Sequence, residues 1–221
     1  MADKNSIKIM IVDDHPLVRQ GMKKVIEREQ DLTVISEAGS AEEAIRNISQ
    51  EEPDLAIVDI SLESEVSGID LIKALRDRYA RIKTLVLSMH DENVYAERAL
   101  KAGARGYVAK KEAPAVIIEA IRVVMKGELY LSSRISMKII DRLFQGKDGG
   151  AESMPEVLSD RELEIFRMIG TGMSTGDIAK KLNISVNTIE SHRKKIKDKL
   201  GIQKGSELVK AAVQWVSTQQ S

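Results

Sequence analysis

Short, almost entirely apolar runs recur in the first half of this chain of 221 residues. They read IKIMIV at 7–12, DLAIV at 54–58, TLVL at 84–87 and GYVA at 106–109. Such runs lack the polar alternation of a strand with one wet face and are typical of parallel strands buried on both faces. This half of the chain therefore favours a parallel sheet covered by helices.

Segments with helix signals separate the apolar runs. Pro16 stands where the first turn of a helix over 16–29 is predicted, a position at which its missing N–H costs nothing. Ser40 and Glu43 have the spacing of a capping box. With a further strand at 32–38 and helices at 69–79, 93–101 and 115–126, residues 1–127 contain five strand–helix units. The prediction is a flavodoxin-like (βα)5 doubly wound parallel domain with right-handed crossovers.

Polar residues stand where four of the strands end, namely Asp13 with Asp14, Asp59, Ser88 and Lys110. The carboxyl ends of parallel strands form the functional edge of an open α/β sheet, so these side chains are expected to meet there. Three crowded carboxylates repel one another unless a cation lies among them. Carboxylate oxygens suit Mg²⁺ or Mn²⁺, and either acid of the pair, together with Asp59 and a nearby backbone carbonyl, would supply the ligands.

The same cluster suits phosphoryl chemistry. A carboxylate can attack phosphorus to give an aspartyl phosphate, and the protein then contributes mainly positioning and charge neutralisation. The metal ion and Lys110 would neutralise the charge. His15 follows the acidic pair, and we interpret it as part of the turn into the first helix rather than as a metal ligand.

Residues 7–127 resemble the receiver domain of bacterial two-component response regulators over its whole length. The matching stretches are IVDDH, IVDIS, LVLSMHD and AGARGYVAKK. The resemblance implies phosphoryl transfer from the phosphohistidine of a sensor histidine kinase to Asp59, with Ser88 and Tyr107 as switch residues and Lys110 as the paired lysine. It also implies metal binding by Asp13, Asp14, Asp59 and the backbone carbonyl of Ser61.

The acceptor loop departs from the family pattern. The family usually has a proline a few residues after the acceptor and a glycine eight residues after it, whereas this chain has no proline there and places Gly68 nine residues on. A longer and more acidic loop is expected. Lys111 stands where this class more often has an acid, and Ser61 and His90 occupy positions that tune the lifetime of the phosphoryl group in the family.

Residues 128–155 are predicted to be a linker that contains one helix, 134–144, with Ile135, Ile139 and Leu143 on a single face. The stretch QGKDGGAESMP that follows combines three glycines and a proline with polar residues, which indicates flexibility.

The remainder, 156–221, is predicted to be entirely helical, with a capping box at Ser159–Glu162 and helices ending near 170, 182, 200 and 216. The third helix carries HRKKIKDK at 192–199, in which five basic residues accompany one acid. A helix, a tight turn and a basic helix form a helix-turn-helix, and the basic stripe predicts a polyanionic partner. RNA binders rely on aromatic stacking, and the two aromatic residues of this region lie outside the stripe, so double-stranded DNA is favoured.

The stretch from Leu158 to Val209 resembles the LuxR-type DNA-binding domain, and the whole chain is similar to response regulators of the NarL/FixJ class. The resemblance implies base contacts from Glu190, Ser191 and Lys194, although many relatives have Lys in place of Glu190. Apolar residues Ile184, Val186, Ile189, Ile196 and Leu200 should hold the recognition helix against its neighbours. The other DNA-binding candidates are outward-facing Asn187, phosphate-binding Thr188, His192, Arg193, Lys195 and Lys199, and helix-terminal Ser174 and Thr175.

These features predict a transcription factor that is controlled by phosphorylation and is not an enzyme. A single domain of this size covers one half-site, so a homodimer on promoter DNA is expected, with the last helix or one of two receiver faces as interface. RNA polymerase is a further expected partner. No apolar stretch is long enough for a membrane span, there is no export signal and there are no cysteines, so a cytoplasmic protein without disulfides is expected.

Two other functions are compatible with parts of the pattern. A phosphohydrolase with an aspartyl-phosphate intermediate would use the same carboxylates, but it would also need a substrate pocket and an acid for product release. A constitutive DNA binder would retain the acidic site only as a vestige.

Overall fold

The computed structural model of the chain describes residues 6–62, 66–89, 92–144 and 157–219. They form two compact units, the first of which ends after the helix that stops at residue 144. Among these described residues, no helix is both long enough and apolar enough to cross a membrane.

The first unit is built on five parallel strands, β1 (Ile7–Val12), β2 (Leu32–Ala38), β3 (Leu55–Val58), β4 (Lys83–Ser88) and β5 (Gly106–Ala109). They form one sheet in the order β2-β1-β3-β4-β5. This order places β1, β3 and β4 inside the sheet, as expected for their unbroken apolar sequences. The parallel, doubly wound prediction is confirmed.

Helices alternate with these strands and begin or end within three residues of their predicted limits. The Ser40 side chain caps one of them by accepting a hydrogen bond from the backbone N–H of Glu43, as the capping-box spacing predicts. Apolar residues of β1, β3 and β4 pack with those of the first and fifth helices in one buried cluster. The helices are α1 (Pro16–Ile26), α2 (Ala41–Ile48), α3 (Gly68–Arg78), α4 (Glu92–Ala102) and α5 (Ala113–Met125).

The segment after α5 packs on the first unit. Tyr130 pairs with Gly106 beside β5, and α6 (Ser133–Phe144) buries Ile135, while Lys138 Nζ donates to the carbonyl of Asn93 in α4 at 3.1 Å. The sequence predicts a helix in this linker but does not indicate where it packs. In the structure this helix packs beside α4. The predicted flexible stretch, 145–155, lies outside the described residues.

The second unit contains the predicted succession of short helices. Ser159, Ser174 and Ser185 each accept a hydrogen bond at a helix N-terminus, and the capping box of Ser159 with Glu162 is complete. Gly201 adopts the left-handed conformation that ends the long basic helix. The helices are α7 (Asp160–Gly170), α8 (Thr175–Lys181), α9 (Val186–Leu200) and α10 (Gly205–Gln219).

Packing in the second unit corrects one apolar assignment. Ile189 and Ile196 are fully buried, but Val186 is 49% exposed, because it occupies the first position of α9 and faces away from the core. In α10, Leu208 and Ala212 are buried, while Val209 is exposed.

Candidate functional site

The polar residues at the strand ends meet at the carboxyl edge of the sheet, as predicted. Asp13 is 1% exposed, Asp59 is 3% exposed and Ser88 is fully buried. Lys110 Nζ lies 2.7 Å from Asp13 Oδ2 and 2.6 Å from Asp59 Oδ2. One ammonium group therefore bridges two buried carboxylates.

Backbone hydrogen bonds that continue the strand pairing hold these residues in place. The Asp59 N–H donates to the carbonyl of Val12 at 2.8 Å, and the Lys110 N–H donates to the carbonyl of Ser88 at 2.8 Å. The loop after β1 is fastened by Arg19, whose Nη1 donates to the Asp13 carbonyl at 2.5 Å. The site residues thus continue directly from the paired strands.

Burial dominates the electrostatics of the Asp59 carboxylate. It raises the pKa of Asp59 to about 6, against the opposing effect of the Lys110 charge. Burial alone would lower the pKa of Lys110, but the Asp59 and Asp13 carboxylates outweigh it and the pKa is raised. The Lys110 ammonium group is therefore charged at neutral pH.

Ligand atoms of Asp13, Asp14, Asp59 and His15 all lie within 4.8 Å of one another. Three of the four residues offer carboxylate oxygens, the donors that Mg²⁺ prefers. His15 lies just before α1, as the sequence predicts, and its Nδ1 is 2.6 Å from Asp14 Oδ1. The oxygen donor set fits a hard divalent cation.

The hydroxyl groups of Ser88 and Tyr107 share a hydrogen bond, and burial raises the pKa of Tyr107. The Tyr107 N–H donates to the carbonyl of Tyr130 at 2.9 Å. Sequence reasoning missed Tyr130, because a contact made through the backbone carbonyl leaves no residue signature.

The backbone that follows Asp59 depends on Gly68. Its N–H donates to the Ile60 carbonyl at 3.0 Å, and a Cβ at this position would overlap the carbonyl oxygen of Asp59. Glycine is therefore required here even though it stands one residue later than in the family pattern. The Ser61 N–H donates to Asp59 Oδ1 at 3.2 Å. Residues 63–65 of the predicted acidic loop, and His90, lie outside the described residues.

In the second unit, α9 exposes the side opposite buried Ile189 and Ile196. Ser191 Oγ donates to the carbonyl of Asn187 on this side. Seven of the α9 residues predicted to contact DNA are exposed, namely Asn187, Thr188, Glu190, Ser191, Lys194, Lys195 and Lys199.

Other residues that were predicted to contact DNA are buried in part or interact with groups of the protein itself. Lys199 Nζ lies 2.7 Å from Glu162 Oε2, so the predicted phosphate-binding lysine forms an ion pair with the capping box. His192 is half-buried, and burial, followed by the charge of Lys195, lowers its pKa, which favours the neutral imidazole. Ser174 serves as the cap of α8.

Thr175 has a partner that the sequence did not indicate. Its hydroxyl donates to Glu190 Oε1 at 3.1 Å, which joins the two helices of the helix-turn-helix. The sequence does not predict this contact, because Thr175 and Glu190 lie fifteen positions apart on different helices.

Comparison with protein families gives two matches. Residues 9–122 match the family described as response regulator receiver domain, and residues 156–212 match bacterial regulatory proteins of the luxR family. Together the matches include the strand-end cluster and the whole of α9.

Several relatives match this chain over most of their own length. Oxygen regulatory protein NreC of Staphylococcus haemolyticus is 32% identical over 94% of this chain and 97% of its own, and NreC of Staphylococcus aureus strain MRSA252 is 33% identical over the same shares. RcsB of Salmonella enterica serovar Typhimurium, solved on a promoter with a phosphomimetic, is 27% identical, with a TM-score of 0.62 over 94% of this chain and 98% of that one. A LuxR-family regulator from Aurantimonas is 34% identical, with a TM-score of 0.58 over 63% of this chain and 99% of that one.

Proposed function

This chain belongs to the two-component response regulators that carry a LuxR-type DNA-binding domain, and we propose that phosphoryl transfer to Asp59 controls its dimerisation and its binding to promoter DNA. The protein is a phosphorylation-controlled transcription regulator. We assign residues 1–127 to the receiver, 128–155 to the linker and 156–221 to the DNA-binding domain.

The observation that carries the proposal is the buried Asp59 carboxylate with Lys110 Nζ 2.6 Å from it. In the transfer, a carboxylate oxygen of Asp59 forms a bond to phosphorus while the bond from phosphorus to the kinase histidine nitrogen breaks. The product is an acyl phosphate on the protein, and Lys110 offsets its added negative charge.

We propose Mg²⁺, with Mn²⁺ as the substitute, as the resident cation. Asp13, Asp14, Asp59 and the Ser61 carbonyl would hold it. When bound, the cation neutralises charge on the phosphoryl oxygens.

The phosphorylated state would be communicated through Ser88 and Tyr107. A phosphoryl group on Asp59 offers new acceptor oxygens to the Ser88 hydroxyl, at the expense of its bond to Tyr107. Because the Tyr107 N–H is bonded to Tyr130, a shift of Tyr107 acts directly on the segment that leads into α6. The proposed coupling therefore needs no further residue between β5 and the linker.

The partners follow from these roles. A sensor histidine kinase supplies the phosphoryl group, and promoter DNA binds along α9, as the RcsB structure on a promoter supports. We propose a homodimer on two half-sites, contact with RNA polymerase and residence in the cytoplasm, where promoter DNA lies. We also propose that the protein turns over no substrate, since the family consists of transcription regulators.

Phosphorylation is expected to tighten DNA binding by about 5- to 150-fold, the usual range of coupling between two sites. The measurement is a gel-shift titration of the full-length chain, with and without acetyl phosphate, on duplexes enriched from a random-sequence pool. Equal affinity under both conditions would show that the chain binds DNA constitutively.

Mg²⁺ is expected to stabilise the wild-type chain against urea by about 2.7 kcal/mol at a hundred times its dissociation constant. The Asp13→Asn variant should lose most of this gain, because it lacks one of the carboxylate ligands. The exposed Asp77→Asn change in the same domain is the matched control and should retain it. Equal stabilisation of the Asp13 variant would place the cation elsewhere.

A further inference from the structure

Glu190 is the one acid among the base-facing candidates of α9. It shares the exposed side of the helix with Asn187 and Lys194, each about one helical turn away, and with the adjacent Ser191. An unpaired carboxylate at the floor of the major groove would be repelled by the DNA phosphates. Its presence on the recognition helix therefore calls for a compensating interaction.

Two neighbours supply that interaction and act on the same oxygen. Thr175 Oγ1 donates to Glu190 Oε1 at 3.1 Å, and Arg193 Nε lies 3.5 Å from the same atom. The Glu190 side chain remains 58% exposed, while that of Arg193 is only 17% exposed. The arrangement offsets the negative charge and restricts a flexible side chain before DNA arrives, which lowers the entropy cost of binding.

A carboxylate can only accept hydrogen bonds, and this limits the base pairs that it tolerates. In the major groove, guanine presents acceptors N7 and O6, and thymine presents acceptor O4 and a methyl group. Adenine offers the N6 donor beside the N7 acceptor, whereas cytosine offers the N4 donor without an adjacent acceptor. Cytosine therefore fits a carboxylate best.

We propose that Glu190 selects a cytosine at one position of each operator half-site and that Thr175 is the residue that positions it. The inference rests on the proposed DNA binding through α9, and it adds the chemical identity of one recognised base. Thr175, which the sequence predicts as a helix-terminal DNA contact, acts through Glu190 instead.

The test is selection of duplexes from a random-sequence pool by the full-length chain, followed by affinity titrations on single-base variants of the enriched site. The wild-type chain should prefer cytosine at the position by about 5- to 150-fold. Glu190→Gln should transfer the preference to adenine, because an amide pairs with N6 and N7 together. Glu190→Ala should bind without preference at that position and keep the others.

Two further variants separate positioning from folding. Thr175→Val should weaken the cytosine preference alone, and Thr175→Ser, which keeps the hydroxyl, should restore it. Asp198→Asn is the matched control for Glu190→Gln, since it removes one negative charge from the same helix, and it should leave the preferred bases unchanged.

Cytosine preference in Glu190→Ala, or a different preferred base in the wild type, would overturn the inference while DNA recognition stands. A uniform loss of affinity in Thr175→Val at every base would refute its positioning role. Failure of the wild-type chain to enrich any sequence would overturn the proposed function and the inference together.

Discussion

Replacing Asp59 with Asn is expected to abolish phosphoryl uptake from acetyl phosphate and, at the same time, to stabilise the metal-free chain. Uptake is lost because an amide oxygen is a poor nucleophile. In the wild type, uptake should level off at about one phosphoryl group per chain. Radiolabelled or mass-spectrometric measurement of the intact chain gives both values.

The stabilisation follows from the pKa of Asp59, which burial raises from 3.8 to about 6. A carboxyl group with a raised pKa in the folded state favours folding below the unfolded value and loses that contribution as the pH rises through 6. The free-energy difference is about 3 kcal/mol at pH 8, at 1.36 kcal/mol for each pKa unit. The variant should therefore exceed the wild type in stability by an amount that grows between about pH 4 and 6 and levels off above about pH 7, in urea titrations with a chelator present.

Asp77→Asn, at an exposed site on α3, is the matched control and should leave uptake unchanged and show no gain in stability as the pH rises from 4 to 6. Unchanged uptake in the Asp59 variant would exclude this residue as the acceptor. Continuous release of phosphate from a phosphomonoester would instead favour the phosphohydrolase.

Gly68→Ala should be strongly destabilising, because among the described glycines a Cβ at this position makes the closest contact. The added Cβ would overlap the carbonyl oxygen of Asp59 and lie 2.8 Å from Ile60 Cα, and neither backbone atom can move without displacing Asp59. Overpacking of this kind costs roughly 1–3 kcal/mol, and here the displacement also moves the carboxylate that we propose as the phosphoryl acceptor. We expect lower stability in urea and slower uptake of phosphoryl from acetyl phosphate.

Gly21→Ala provides the matched control, because nothing lies within 4 Å of a Cβ at that position of α1. Alanine in a helix should stabilise the chain by about 0.5–1 kcal/mol without changing uptake. A Gly68 variant with the stability and uptake of the wild type would show that the loop after the acceptor tolerates a side chain.

The receiver could be predicted in detail because its signals are local. Unbroken apolar runs identify buried parallel strands, and in such a sheet the residues that follow the strands must share one edge. Asp59 and Lys110, 51 positions apart, are therefore predicted to meet, and they do so at 2.6 Å. The helix-turn-helix could be predicted equally well, because serine caps mark the starts of its helices and a glycine marks the end of the long one.

Exposure along α9 was less predictable. Val186 has an apolar side chain and lies in a helix, but its position at the first turn leaves it 49% exposed. Lys199 belongs to the basic stripe, but its ammonium group pairs with Glu162 across the unit. Residue type gives the tendency to be buried or charged, whereas the neighbouring helix decides whether a partner is within reach.

The order of residues along the chain was enough to establish the parallel sheet, the acidic cluster and the helix-turn-helix, because strand burial and helix capping depend on near neighbours. Three contacts could be found only in the folded structure. They are the hydrogen bond from the Tyr107 N–H to the Tyr130 carbonyl, the close approach of Gly68 to Asp59, and the hydrogen bond from Thr175 to Glu190. Each joins elements through a backbone atom or an exposed side chain, so no periodicity or spacing encodes it. Only packing sets those distances.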